Sequence, residues 1–162
     1  LALREYNLSI AVDYSFESGS GLPNDYSYVA SRSLTLKPSL SAQQISQITE
    51  EAKEISDIEM NTAMLSFVLN KSEYLTSMDI KLHIKYRKKT KINLTLKPAN
   101  YKVVDNGNTM KIEVDLNALN AKLGTRVKYK TSLEVHRSFS TELELEDNKV
   151  IVASKNFTKV VK

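Results

Sequence analysis

The densest group of side chains that could do chemistry is a basic segment in the middle of the chain. Between Ile80 and Val104 the sequence holds eight Lys or Arg residues and no Asp or Glu. From Ser41 to Asp79 the balance is reversed, with seven acidic residues against two basic ones. The formal net charge of +4 is therefore small although basic and acidic residues are concentrated in different segments of the chain. Clustered cations can attract nucleic acid, an acidic polysaccharide, lipid headgroups or an acidic protein.

The alternation of residue types predicts that these basic side chains share one face of a β-hairpin. Ile80, Leu82, Ile84 and Tyr86 recur at every second position, as in a half-buried strand. Their neighbours then point to solvent, and a return strand after the turn RKKT adds further lysines. We therefore predict a basic hairpin over residues 81–97 as a candidate site for an anionic partner. Its predicted binding residues are Lys81, Lys85, Arg87, Lys88, Lys89, Lys91 and Lys97.

Two other interpretations of the basic hairpin remain open. Lysines on an exposed strand prevent edge-to-edge association of sheets. They can also pair with acidic residues elsewhere, such as the alternating Glu142, Glu144 and Glu146 or the acidic segment 41–79. Specific nucleic-acid recognition is not expected. Aromatic side chains that could stack on bases are not interleaved with the lysines, and Tyr86 falls on the inward side.

Residues suited to catalysis or metal binding are few. The only histidines, His83 and His136, are both predicted on the polar side of strands, and no local spacing brings them to a carboxylate or nucleophile. Cysteine is absent, which excludes disulfides and thiolate metal sites. No GxSxG, HExxH or GxxxxGK motif occurs. The sequence therefore predicts a non-enzymatic protein with no cofactor and no metal site.

Around the hairpin, the period of the apolar residues predicts two helices. Ser41 and Gln44 form a capping-box pattern ahead of an isoleucine stripe at helical spacing. We predict one long amphipathic helix over about 41–56, with an alternative in which helical structure continues to residue 69. A short helix is predicted near 115–123, where Asp115 precedes three spaced leucines and Gly124 follows.

The rest of the chain predicts antiparallel β-structure. Alternating residues predict a strand pair before the helix and about seven strands after it, and Asn106-Gly107 is a strong hairpin-turn signal. With 162 residues, 4 Gly and 3 Pro, the chain fits one domain over 1–162. We predict an α+β fold, mainly an antiparallel sheet with the long helix packed on one face and the lysines on the other. A two-sheet sandwich is the alternative.

A hexapeptide occurs twice, as SLTLKP at 33–38 and as NLTLKP at 93–98. In both copies two leucines alternate before Lys-Pro, and proline cannot donate to a strand ladder. The similarity does not extend to whole supersecondary units, as a tandem repeat requires. We interpret it as strand-end chemistry that occurs twice, with an ancient duplication as the alternative, and not as a binding motif.

Three classes of function follow. The first is a binding or assembly domain that acts through protein–protein contacts or self-association, for instance an ectodomain or structural module. The second is a binder of an anionic polymer or membrane surface through the basic hairpin. The third is a small-ligand carrier or enzyme that uses a cavity between helix and sheet. No signal-peptide pattern and no apolar run near the ~18 residues of a membrane span is found. The compartment stays unassigned, with an extracytoplasmic or virion setting favoured over the cytoplasm.

Overall fold

The chain folds as two compact units, Leu1–Ser39 and Leu40–Lys162. The computed structural model describes residues 6–15, 27–36, 39–143, 145 and 150–161. Antiparallel strands make up most of this described part, and it contains one α-helix. The antiparallel and α+β character is confirmed at this level, while the single domain over 1–162 stays a prediction.

The first unit is an antiparallel pair of long strands, β1 (Tyr6–Ser15) and β2 (Ser27–Leu36). All ten residues of each strand pair in continuous register, with Leu8 opposite Leu34 and Val12 opposite Ala30. Both strands were predicted from alternation and are confirmed. Leu8, Ile10, Val12 and Leu34 remain 44–55% exposed, so the pair presents apolar side chains that its two strands do not bury.

The second unit contains a helix followed by eight strands within its described residues. The helix is α1 (Ala42–Ala52). The strands are β3 (Ile55–Met60), β4 (Met64–Asn70), β5 (Asp79–Tyr86), β6 (Lys89–Leu96), β7 (Tyr101–Asp105), β8 (Thr109–Asp115), β9 (Lys128–Ser138) and β10 (Val150–Val160). Two single 3₁₀ turns, Pro98–Asn100 and Thr141–Leu143, complete it.

The eight strands form two four-stranded sheets, with strand orders β10-β9-β5-β6 and β3-β4-β8-β7. Leu82 and Leu133 of the first sheet share one buried core with Phe67 and Ile112 of the second. The two-sheet sandwich, our alternative, therefore describes this unit. The β3-β4-β8-β7 sheet covers the inner face of the first sheet, while the packing of the long helix on one sheet face stays a prediction. Only one residue of α1, Ala52, is fully buried.

Helix α1 is shorter than the sequence predicted. Its capping box is present: Gln44 N donates to Ser41 Oγ at 3.2 Å, and Ser41 N donates to Gln44 Oε1 at 2.9 Å. The predicted end at residue 56 is wrong, and so is the continuation to 69, since residues 55–60 and 64–70 are strands. Leu65, Phe67 and Leu69 are at most 1% exposed, and burial of this alternating set between two sheets outweighs the helical spacing.

Residues 116–120 form consecutive turns and residues 121–123 have no regular secondary structure, so the predicted short helix near 115–123 is wrong. Asp115 Oδ1 does accept hydrogen bonds from the backbone N–H groups of Asn117 (2.9 Å) and Ala118 (3.0 Å), as a helix cap would. However, Asn120 and Lys122 have φ angles of 55° and 46°. This left-handed conformation ends a right-handed helix after its first turn.

A buried arginine ties the end of the helix to the sandwich. Arg137, on β9, is 2% exposed. Its guanidinium donates to Ala52 O at 2.8 Å and to Asn70 O at 2.6 Å, while Asn70 Nδ2 donates to Glu51 O at 2.9 Å. The bonds to Ala52 O and Glu51 O give partners to carbonyls in the last turn of the helix, and the bond to Asn70 O joins the same arginine to the end of β4. Burial lowers the pKa of Arg137, and the negative end of the helix dipole favours its charged form.

The repeated hexapeptide belongs to a strand in both copies. Residues 33–36 lie in β2, and residues 93–96 finish β6. In the second copy Lys97 follows the strand and Pro98 begins a 3₁₀ turn. The predicted strand end is confirmed for the second copy; in the first copy Lys37 and Pro38 lie outside the described residues, so the end of that strand stays a prediction.

Candidate anion-binding face

Strand β5 forms the first half of the basic hairpin, and its side chains alternate as predicted. Ile80, Leu82 and Ile84 are at most 1% exposed and form part of the core. Lys81 and Lys85 alternate with them and are exposed. The inward and outward sides of the strand are therefore confirmed, and they follow from the two-residue period of β-structure.

The outward side chains of the β10-β9-β5-β6 sheet form a continuous surface, here called the outer face. Strand registers align its residues in rows that run across the strands. One row is Thr95–Lys81–Glu134–Ser154, the next is Asn93–His83–Ser132–Asn156, and the third is Thr90–Lys85–Lys130–Thr158.

Charge changes along the outer face from one row to another. Lys81 lies opposite Glu134, so that row contains both signs. Two rows further, Lys85 lies directly opposite Lys130. Among the described residues, no carboxylate lies within 4.0 Å of the amine of either lysine. The outer face thus has one mixed end and one cationic end.

The seven predicted binding residues are not gathered into one place. Lys81 and Lys85 lie on the outer face, in rows separated by His83. Lys91 is the extra residue of a β-bulge, because Lys85 pairs with Thr90 while Ile84 pairs with Ile92.

The remaining four residues lie along the edge strand or in its turns. Arg87 and Lys88 form the tight turn between β5 and β6, and the Arg87 guanidinium lies 5.2 Å from the ring centre of Tyr86. Lys89 begins β6, and Lys97 follows its other end. Lys97 is therefore roughly 20 Å from Lys91 along the strand, at about 3.3 Å per residue.

Sequence reasoning missed Lys130, which the structure places beside Lys85. Its position on the polar side of a strand was readable from Tyr129, Leu133 and Val135, which are all buried. What the sequence did not show is that β9 pairs with β5, 45 residues earlier. No local signal reports such a pairing, so the lysine pair could not be found without the topology.

Two shallow concavities lie on the outer face and share His83 and Ser132. The first has a volume of about 600 Å³ and the second about 400 Å³. The first is lined by His83, Lys85, Lys130, Thr131, Ser132, Asn156, Phe157 and Thr158. The second is lined by Lys81, Leu82, His83, Asn93, Leu94, Thr95, Ser132 and Glu134. The lysine pair is thus at a concave site with hydroxyl and amide side chains around it.

The two histidines do not converge on a common centre. His83 lies opposite Ser132, and His136 is four residues further along β9, roughly 13 Å away. His136 Nε2 is 3.1 Å from Glu134 Oε2. His83 Nε2 is buried and has no hydrogen-bond partner in the described part of the chain. No group of His, Asp and Glu residues within that part has the arrangement of a metal site.

A third concavity lies beside helix α1 and corresponds to the helix–sheet cavity considered from the sequence. It is an open groove of about 970 Å³. Its lining includes the carboxylates Glu51, Glu54 and Glu73, with Ile48 and Tyr74 as its larger apolar or aromatic side chains. Burial, and next the neighbouring Glu73 carboxylate, raise the pKa of the Tyr74 hydroxyl. The groove is open and its lining is mostly polar or charged, unlike the mainly apolar pockets that hold small ligands.

No protein-family model and no curated protein sequence matches this chain. None of the helices in the described residues has the length and apolar character needed to cross a membrane.

Proposed function

We propose that this chain is a non-enzymatic binding domain whose outer face contacts an anionic partner. The observation that supports it is the direct opposition of Lys85 and Lys130, with no carboxylate of the described residues within 4.0 Å of either amine. Like charges opposite each other in a sheet destabilise the fold by roughly 0.2–1 kcal/mol. A bound anion between the two amines would turn this repulsion into attraction.

Protection of a sheet edge does not account for this pair. Edge lysines act on the outermost strand, where they prevent pairing with another sheet. Lys89, Lys91 and Lys97 lie on or next to β6, which is an edge strand, and fit that role. Lys85 and Lys130 lie on β5 and β9, the two central strands of the sheet. Binding of an anion therefore explains the two central lysines better than protection against edge-to-edge pairing of sheets does.

Salt-dependent retention on a sulfated polysaccharide column tests the proposal. We expect the unmodified chain to be retained at low salt and released as salt rises, because each neutralised anion releases counterions. Lys85→Glu combined with Lys130→Glu should remove most of the retention. Lys89→Glu with Lys97→Glu changes the charge by the same amount on the edge strand and should remove less. Passage of the unmodified chain straight through the column would contradict the proposal.

A second candidate function is assembly through β1 and β2. This strand pair leaves Leu8, Ile10, Val12 and Leu34 exposed, and no further described strand pairs with either edge. Isolated two-stranded pairs are marginally stable in water. Addition of a strand from a partner would supply backbone hydrogen bonds and cover the apolar side chains.

Light scattering across a concentration series tests the assembly candidate in its self-association form. We expect the mass of the unmodified chain to rise with concentration, and Ile10→Lys to keep the chain monomeric. Ser9→Lys, on the opposite side of the same strand, is the control and should leave the mass unchanged. A constant monomer mass for the unmodified chain would refute self-association by this surface.

A further inference from the structure

We infer that the partner of the outer face is an acidic polysaccharide, with one sulfate or carboxylate group held between Lys85 and Lys130. This inference rests on the proposed binding of an anion at the outer face and assigns a chemical class to that anion. Three features support it: the hydroxyl and amide side chains beside the lysine pair, the concave shape of the site, and the inward placement of the nearby tyrosines.

The neutral side chains around the lysine pair suit sugar hydroxyl groups. Ser132, Asn156 and Thr158 line the concavity that contains both lysines. Asn93 and Thr95 line the neighbouring concavity, which shares Ser132 with the first. Hydroxyl and amide groups each donate and accept hydrogen bonds, as sugar hydroxyls do. The row from Asn93 to Asn156 crosses four strands, a span of roughly 14 Å at about 4.8 Å per strand.

Nucleic acid fits this surface less well than a polysaccharide does. Binding of single strands relies on aromatic side chains that stack on bases. Tyr129 is 3% exposed, and its hydroxyl accepts a hydrogen bond from Gly124 N at 2.8 Å. Tyr86 packs against Tyr129 with 5.9 Å between ring centres, and Arg87 lies over its ring. The outward positions in the paired registers of the sheet contain no Tyr or Phe. Phe157, which lines the first concavity, is at an inward position and packs against the core.

A lipid surface also fits less well. The lysine pair lies in the middle of a sheet, at a concavity of about 600 Å³ whose lining residues are polar or charged except for Phe157. A bilayer is flat on this scale, and peripheral membrane binding adds buried apolar side chains to electrostatic attraction. A chain of sugar rings can enter a shallow concavity and bring its anionic group to both amines.

Binding to four probes separates these partners. The probes are a heparin-type sulfated polysaccharide, polygalacturonate, single-stranded DNA and phosphatidylserine vesicles, compared at equal anionic charge. We expect one of the two polysaccharides to bind about tenfold more tightly than DNA or vesicles. This factor corresponds to one or two hydrogen bonds that the polysaccharide makes and the other probes lack. The sulfated and carboxylated probes identify which anionic group fits between the lysines.

A variant that keeps every cation isolates the role of the neutral side chains. Asn156→Ala with Thr158→Val should weaken binding to the preferred polysaccharide about tenfold and leave binding to DNA unchanged. Ser154→Ala, on the same strand but outside the lining of the first concavity, is the control. Equal or tighter binding to DNA or vesicles, or no effect of the double variant, overturns the inference while the anion-binding function stands. Binding to none of the four probes overturns both.

Discussion

Replacement of Arg137 by methionine should lower the stability of the second unit by about 3 kcal/mol. The guanidinium makes two hydrogen bonds, 2.8 Å to Ala52 O and 2.6 Å to Asn70 O, and is 2% exposed. Hydrogen bonds from a charged group contribute roughly 1.5–3 kcal/mol each, and part of that sum is offset because a buried charge is also removed. The buried Ala52 O and the partly buried Asn70 O then lose this donor.

Urea denaturation followed by circular dichroism measures this loss of unfolding free energy directly. In thermal denaturation, at about 2–4 °C per kcal/mol for a chain of this size, the melting temperature should fall by roughly 6–12 °C. Arg137→Lys keeps the charge but reaches one carbonyl, so it should recover part of the loss. Amide exchange of α1 should accelerate more than exchange of β5, because the lost bonds hold the helix end.

An exposed arginine of the same sheet provides the control. Arg87 lies in the turn between β5 and β6, where its guanidinium contacts the ring of Tyr86. Exposed cation–π contacts contribute roughly 0.5–1 kcal/mol, so Arg87→Met should have a much smaller effect. A loss below about 1 kcal/mol for Arg137→Met, or equal losses at both positions, would refute the view that Arg137 anchors the helix.

Three further predictions concern charge and backbone conformation. The hydrogen bond from Lys71, and next the one from Gly107 N–H, lower the pKa of Asp105. A lowered pKa stabilises the folded state above the unfolded pKa of about 3.9, and this stabilisation is lost as pH falls through the folded pKa. Asp105→Asn should therefore unfold at lower urea than the unmodified chain at pH 7, and this difference should shrink as pH falls below about 3.9. A difference that stays constant as pH falls would contradict the assignment. Gly107→Ala should lower the free energy of unfolding by about 1 kcal/mol, because Gly107 has φ +82°. The cost comes from the backbone angle alone, since an added methyl group would have no atom within 4 Å. An unchanged value would show that the turn relaxes. Lys130→Glu should raise the melting temperature and weaken polyanion binding. It replaces a repulsive cross-strand pair by an attractive one, a difference of about 1 kcal/mol in total. A lower melting temperature would show that Lys85 and Lys130 do not repel each other.

The opposition of Lys85 and Lys130 links stability to binding. Functional sites often keep groups that the fold alone would not favour. In this sheet the two central strands hold the unfavourable pair, while the mixed row of Lys81 and Glu134 lies two rows away. A gain in stability together with a loss of binding in Lys130→Glu would mark the pair as part of a binding site.

The sequence by itself determined the local structure that depends on neighbouring residues. The alternation from Ile80 to Tyr86 identified both sides of β5, and Ser41 with Gln44 identified the start of α1. Both signals act through atoms a few residues apart: a capping box joins positions i and i+3, and a strand alternates at every second residue. The cationic side of the hairpin was readable for the same reason.

Only the tertiary structure decided which elements lie side by side. Residues 58–69 fitted a helix or a strand, and burial between two sheets selected the strand. Lys130 became the neighbour of Lys85 through pairing of strands 45 residues apart. Such pairings are selected by the total apolar surface that the finished core buries, a quantity that no short segment contains. The outer face is therefore a product of sheet topology, assembled from side chains whose separate positions were already readable.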